Sequence, residues 1–178
     1  DLRTSIRRLP VADGELAAFR GELPPRPLRI LFVACAPTDQ ETLDYEREEA
    51  ALLSALAAAG TNVAFDSGDL GSFDELRDRI SEFRPHVVHL TGHGIVRADG
   101  LGYFAFENER GGTDMRSSEQ LRDELFAGSG VQCAFISGCQ SGKTPPLAAI
   151  GGICQGLVSS DVPLAIGWAA SIADQTAT

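Results

Sequence analysis

Two side chains, His93 and Cys139, each follow a short apolar run and stand among small residues. Val87-Val88-His89-Leu90-Thr91 leads into Gly92-His93-Gly94, and Ala134-Phe135-Ile136-Ser137 leads into Gly138-Cys139-Gln140-Ser141-Gly142. An imidazole beside a thiol is the pairing of a cysteine nucleophile with its proton-transfer partner. The glycines around His93 are expected to permit close backbone approach by a substrate and unusual φ values. Cys139 precedes an expected helix and lies near Lys143, and both neighbours favour thiolate over thiol.

Such a pair must be delivered by elements that end side by side. Apolar runs at 29–35, 62–65, 86–91, 131–137 and 163–168 read as strands, the two carrying the pair breaking at glycine. Residues 101–107 read as a further small strand in a hairpin beyond the main sheet. Helices are expected between them. Residues 41–59 carry Leu43, Ala50, Leu53 and Ala57 on one stripe, with Thr38 and Glu41 as a capping box and Gly60 as the stop. Ser72 with Glu75, and Ser117 with Gln120, start two more helices, the first closed by Pro85. Residues 146–159 form the last, with Leu147, Ile150, Ile153 and Leu157 inward. Alternation at this pace implies an α/β fold with a mostly parallel sheet covered on both faces. In such sheets functional groups gather beyond the carboxyl ends of strands. Residues 1–28, ending in Pro24-Pro25-Arg26-Pro27, are expected to be an N-terminal segment and stiff linker, and 29–178 the core domain. The start at Asp1 suggests excision from a longer chain. The end at Thr178 falls where another helix is due, so a C-terminal part is expected to be missing and supplied by a companion fragment.

Composition narrows the partners. The chain has 178 residues, 43% apolar and 22% charged, which suits one globular domain. A formal net charge of -10 argues against direct nucleic-acid binding and against anionic membranes. No apolar stretch is long enough to span a bilayer. Four cysteines without a dense framework point to a reducing cytoplasm, and Cys35 and Cys133 fall inside strand-like runs as small hydrophobes.

Two other constellations compete. Gly138-Cys139-Gln140-Ser141-Gly142-Lys143-Thr144 resembles a phosphate loop, but Ser137 stands where that motif needs glycine. A nucleotide-binding α/β domain therefore stays a minor alternative. His86, His89 and His93 suggest a metal site on paper, yet strand alternation sends His86 and His89 to opposite faces, so no metal and no cofactor are expected. His89 reads instead as a packed core or strand-end histidine.

Taken together, Val88-His89-Leu90-Thr91-Gly92-His93-Gly94 and Phe135-Ile136-Ser137-Gly138-Cys139-Gln140-Ser141-Gly142 resemble a CHAT domain. CHAT domains are bacterial caspase-like proteases of the caspase, separase and gingipain clan, often joined to TPR repeats. The opening strand, the acidic helix with Glu46, Glu48 and Glu49, and Val162-Pro163 running to Gly167-Trp168 and Ser171-Ile172-Ala173-Asp174 are also similar. The resemblance implies a three-layer caspase-like sandwich and a cysteine endopeptidase acting on a protein or peptide. His93 would be the catalytic histidine and Cys139 the nucleophile, with an acyl-enzyme intermediate and an oxyanion hole from the backbone N–H groups of Gly94 and Cys139. The substrate pocket would be lined by Ala36 to Asp39, by Ser137, and by Trp168 to Asp174. Ser137 stands where some clan members carry glutamine or an acidic residue, which disfavours an aspartate-specific pocket; Trp168 would wall an apolar subsite and Asp174 would favour a basic one. A TPR or effector-complex regulator in bacterial defence or signalling is implied in the same way. The alternative is an inactive caspase-like interaction module.

Overall fold

The computed structural model describes residues 27–59, 62–68, 71–99, 101–139, 153–154, 156–157 and 162–167. Among the described residues seven strands form one sheet: β1 (Leu28–Ala34), β2 (Val63–Ser67), β3 (Val87–Val96), β4 (Gly102–Glu107), β5 (Thr113–Ser117), β6 (Cys133–Cys139) and β7 (Leu164–Gly167). Strands β2, β1, β3, β6 and β7 lie side by side, all parallel. β4 pairs antiparallel with the far half of β3, and β5 pairs antiparallel with β4. β3 is the hub. One of its edges is shared, β1 taking Val87 to Thr91 and β4 taking His93 to Val96, while β6 occupies the other.

The helices are α1 (Tyr45–Ala59), α2 (Phe73–Phe83) and α3, which begins as Ser118–Gln120 and continues as a π-helix over Leu121–Phe126. Residues 153, 154, 156 and 157 are also helical, with Ile153 and Leu157 buried as the spacing predicted. Alternation along the strands separates two faces. Leu31, Val33, Val88, Leu90, Ala134 and Ile136 face one way and join Phe73, Leu76 and Ile80 of α2, Leu121, Leu125 and Phe126 of α3, and Ile153 and Leu157 in a single apolar core. The other face carries Phe32 on β1, His89, Thr91 and His93 on β3, and Phe135 and Ser137 on β6; α1 lies against it. The fold is thus a mostly parallel α/β sandwich with helices on both faces.

Two expected caps formed. Ser72 accepts from the Glu75 amide at 3.3 Å, and Ser117 with Gln120 makes both bonds of the reciprocal box. α2 stops where Arg84 turns left-handed at φ 50°, just before Pro85.

Several expectations are corrected. The strands bearing the pair do not break at glycine: β3 runs through Gly92 and Gly94 because β4 continues its hydrogen bonding, and β6 runs through Gly138 to Cys139. Gly92 and Gly94 are not among the positive-φ residues. Gly92 is required for packing, since a Cβ there would lie 2.7 Å from the Phe104 ring and 3.1 Å from the Cys35 carbonyl. Helix α1 starts at Tyr45, not at 41; Thr38 bonds to the Gly111 carbonyl, and Asp44 accepts from the Arg47 amide instead. The stripe of Ala50, Leu53 and Ala57 faces solvent, with Leu53 42% exposed. Tyr45, Glu48, Leu52 and Leu56 are the half-buried stripe. Residues 1–26, the phosphate-loop-like stretch from Gln140 on, Trp168 and Asp174 lie outside the described residues.

Candidate active site

The polar face is built in rows across three strands. Phe32, His89 and Phe135 are registered side by side, and the His89 ring packs between the two phenyl rings at centroid distances of 5.1 and 4.5 Å. The next row is Ala34, Thr91 and Ser137. The last is His93 with Cys139, directly opposed on adjacent parallel strands. Neighbouring strands run about 4.8 Å apart, so the two backbones meet at contact distance. The side chain of Cys139 lies outside what the structure describes. The juxtaposition expected from the sequence, a histidine and a cysteine on neighbouring strands, is present at the level of register.

His93 is 4% exposed. Its Nε2 lies 2.7 Å from the carbonyl oxygen of Glu41. A carbonyl can only accept, so Nε2 carries the proton and the lone pair of the neutral ring resides on Nδ1. Nδ1 is buried and has no hydrogen-bond partner among the described residues. Leaving a buried acceptor unmatched costs about 1–3 kcal/mol.

The Glu41 carbonyl is delivered by the loop between β1 and α1, which is laced to the β4–β5 hairpin. The amide of Ala36 donates to Glu107 Oε1 at 2.9 Å, and that of Thr38 to the Gly111 carbonyl at 2.8 Å. Asp39 accepts from the amide and hydroxyl of Thr113 at 3.2 and 2.6 Å, and Gln40 Nε2 donates to Thr113 Oγ1 at 3.0 Å. The Thr113 hydroxyl, then its amide, hold the Asp39 carboxyl below its ordinary range.

Beneath the last row, Glu48 reaches from the first turn of α1 to β3. Oε1 is 2.8 Å from His89 Nε2, and Oε2 accepts from the Thr91 hydroxyl at 2.7 Å. Burial pushes the Glu48 carboxyl up, but hydrogen bonds from His89 and Thr91, attraction to His89 and a hydrogen bond from Ser137 outweigh it and hold it low. Ser137 is buried and stands near this cluster, where it helps to hold the Glu48 carboxyl low. Gly94 follows His93 on β3 and is registered against Phe104 of β4.

The other thiols are ill suited to nucleophilic work. Burial, reinforced by Glu107 and Glu75, pushes Cys35 well above its ordinary value. Burial takes Cys133 to about 11, and burial with the proximity of Cys133 takes Cys154 to about 12. At neutral pH such groups are almost wholly protonated. His86 lies at the opposite end of β3, where Nδ1 accepts from the Arg29 amide at 3.0 Å. Burial, then the Arg29 charge, hold its pKa below the usual histidine value. Among the described residues no cluster could hold a metal ion, and no helix is long and apolar enough to cross a membrane.

Neither Glu41 nor Glu48 emerged from sequence reasoning as a site residue. Glu41 acts through its backbone, which leaves no signature. Glu48 is one of three acidic residues at the start of α1, and only the helix rotation shows which one meets the sheet. Residues 4–178 match the family model of the CHAT domain, a family related to caspase-like cysteine peptidases. No curated protein matches the chain.

Proposed function

The chain belongs to the CHAT-domain family, and from that premise we propose that it is a cysteine endopeptidase whose dyad is His93 and Cys139. The observation that carries this reading is the register that sets His93 directly against Cys139, with the buried Nδ1 of His93 lacking a hydrogen-bond partner among the described residues. Nδ1 takes the thiol proton, and the thiolate adds to the scissile carbonyl. The imidazolium then returns the proton to the leaving amine, and water hydrolyses the acyl-enzyme to regenerate the thiol. Throughout, Nε2–H stays on the Glu41 carbonyl, which fixes the ring and supports its positive charge while it is protonated. Backbone N–H groups of Gly94 and Cys139 serve as oxyanion donors, each contributing about 2.7–4 kcal/mol to barrier lowering. Ser137, Trp168 and Asp174 complete the proposed substrate pocket. Control by a TPR or effector-complex partner belongs to the same proposal and is supported by the family resemblance alone.

The test is cleavage of a diverse peptide library by the wild-type chain, Cys139→Ala and His93→Ala. The wild type is expected to cleave. Each substitution is expected to reduce turnover by at least about 10³-fold, in the range seen when one member of a catalytic unit is removed. Wild-type cleavage that survives Cys139→Ala would end the peptidase assignment for this site. A chain inert in all forms would favour a binding module built on the same fold.

A further inference from the structure

We propose that Glu48 is a positioning residue for His93, holding the Glu41 carbonyl in place and thereby fixing which ring nitrogen of His93 is free. The inference rests on the dyad reading for its catalytic consequence, but its structural content stands on geometry alone.

Glu41 hangs between two anchors. On its N-terminal side the loop is tied to the β4–β5 hairpin through Thr38, Asp39 and Gln40. On its C-terminal side residues 41–44 have no regular structure before α1 begins at Tyr45. The rest of α1 holds it only partly: Tyr45, Leu52 and Leu56 are half-buried, no side chain among those described is fully buried, and Ala50, Ala51, Leu53, Ala55, Ala57 and Ala58 are exposed. Apolar packing therefore leaves the rotation and height of this helix weakly determined. Glu48 supplies what packing does not. Its carboxylate bridges His89 and Thr91, alternate residues of β3 on the face that also carries His93. His89 is itself held between Phe32 and Phe135. The clamp thus references the start of α1, and the loop just before it, to the strand bearing His93.

The consequence is a choice of tautomer. While the Glu41 carbonyl stays 2.7 Å from Nε2, the proton sits there and Nδ1 is the base. If the carbonyl withdraws, either nitrogen can carry the proton and the fraction of correctly poised histidine falls.

Long-range ¹H–¹⁵N correlation spectra of the ¹⁵N-labelled chain report the tautomer of each histidine directly. In the wild type at pH 8, His93 is expected wholly as Nε2–H. In Glu48→Ala a second population protonated on Nδ1 is expected. Peptide turnover is expected to fall by about 10²-fold, as for a small misplacement of a catalytic group, with the loss carried mainly by kcat. Should Glu48→Ala fail to fold, Glu48→Gln and Thr91→Val each weaken one arm of the clamp at nearly constant shape and should show the same shift to a smaller extent. Folded variants that all keep His93 wholly as Nε2–H would overturn the proposal. The tautomer measurement needs neither substrate nor Cys139. A chain that cleaves nothing would therefore sink the peptidase reading while the spectra still decided the role of Glu48.

Discussion

The two faces of the sheet are built from alternate residues of the same strands, yet they are held together by different physics. On one face Leu31, Val33, Val88, Leu90, Ala134 and Ile136 meet α2 and α3 with almost no water-accessible surface. On the other, His89, Thr91 and Ser137 meet one carboxylate of α1. The apolar face is non-directional and tolerates small adjustments of its helices. The polar face is directional: a shift of an ångström breaks a hydrogen bond outright. An arrangement that must hold a proton on a chosen nitrogen gains from being built on the second kind, with the first supplying the stability.

That division can be broken from either side. The largest effect on stability is expected from the apolar face. Leu90→Ala, at a fully buried position, should cost about 2–5 kcal/mol in denaturant unfolding, while activity per folded molecule stays near wild type. A large loss of activity in the folded fraction would show that the faces are not separable.

Glycine substitutions sharpen the contrast within β3. Gly92→Ala places a Cβ 2.7 Å from the Phe104 ring and should destabilise by about 1–3 kcal/mol as an overpacked core does. At Gly94 the nearest atoms would be 3.6 Å and 3.7 Å away, ordinary contact distances, so Gly94→Ala should destabilise less than Gly92→Ala. Any activity it loses would then report on the backbone at the proposed oxyanion position. Equal thermal shifts in the two variants would contradict this account of the glycines.

The smallest expected effect is a pH dependence. Glu48 is held below its ordinary range in the folded state. Its contribution is therefore complete above the unfolded carboxyl value of about 4.3 and is lost as pH falls through the lower folded value. Thermal unfolding of the wild type and Glu48→Gln should differ most at neutral pH and converge in acid. Parallel curves down to pH 3 would remove the carboxylate from the stability of this face.

How much of this was legible in the sequence follows the same division. The apolar runs Val87 to Thr91 and Cys133 to Ser137 marked both strands, because a short uninterrupted apolar run suits a strand buried on both faces, while which residues face the core is shown only by the packed helices. That these strands are neighbours, which opposes His93 and Cys139, was an expectation resting on a long-range pairing, and the register bears it out. The rotation of α1 was not legible. Its alanines are nearly neutral between faces, so the stripe through Leu53 and the stripe through Leu52 and Leu56 compete on equal terms. The choice is made by Glu48 finding His89 and Thr91, a long-range pairing with no local trace. β5 escaped notice for a related reason: Asp114 and Arg116 pair with each other at 2.7 Å and give no apolar alternation.

The shared edge of β3 carries a last consequence, for motion. With β6 on one side and both β1 and β4 on the other, β3 is bracketed along most of its length. Backbone amides on such a strand exchange with solvent only in the largest openings of a protein. His93 therefore rides on the segment expected to be slowest to breathe. Whatever rearrangement accompanies the arrival of a substrate, the histidine is its fixed point, and the neighbouring segments must come to it.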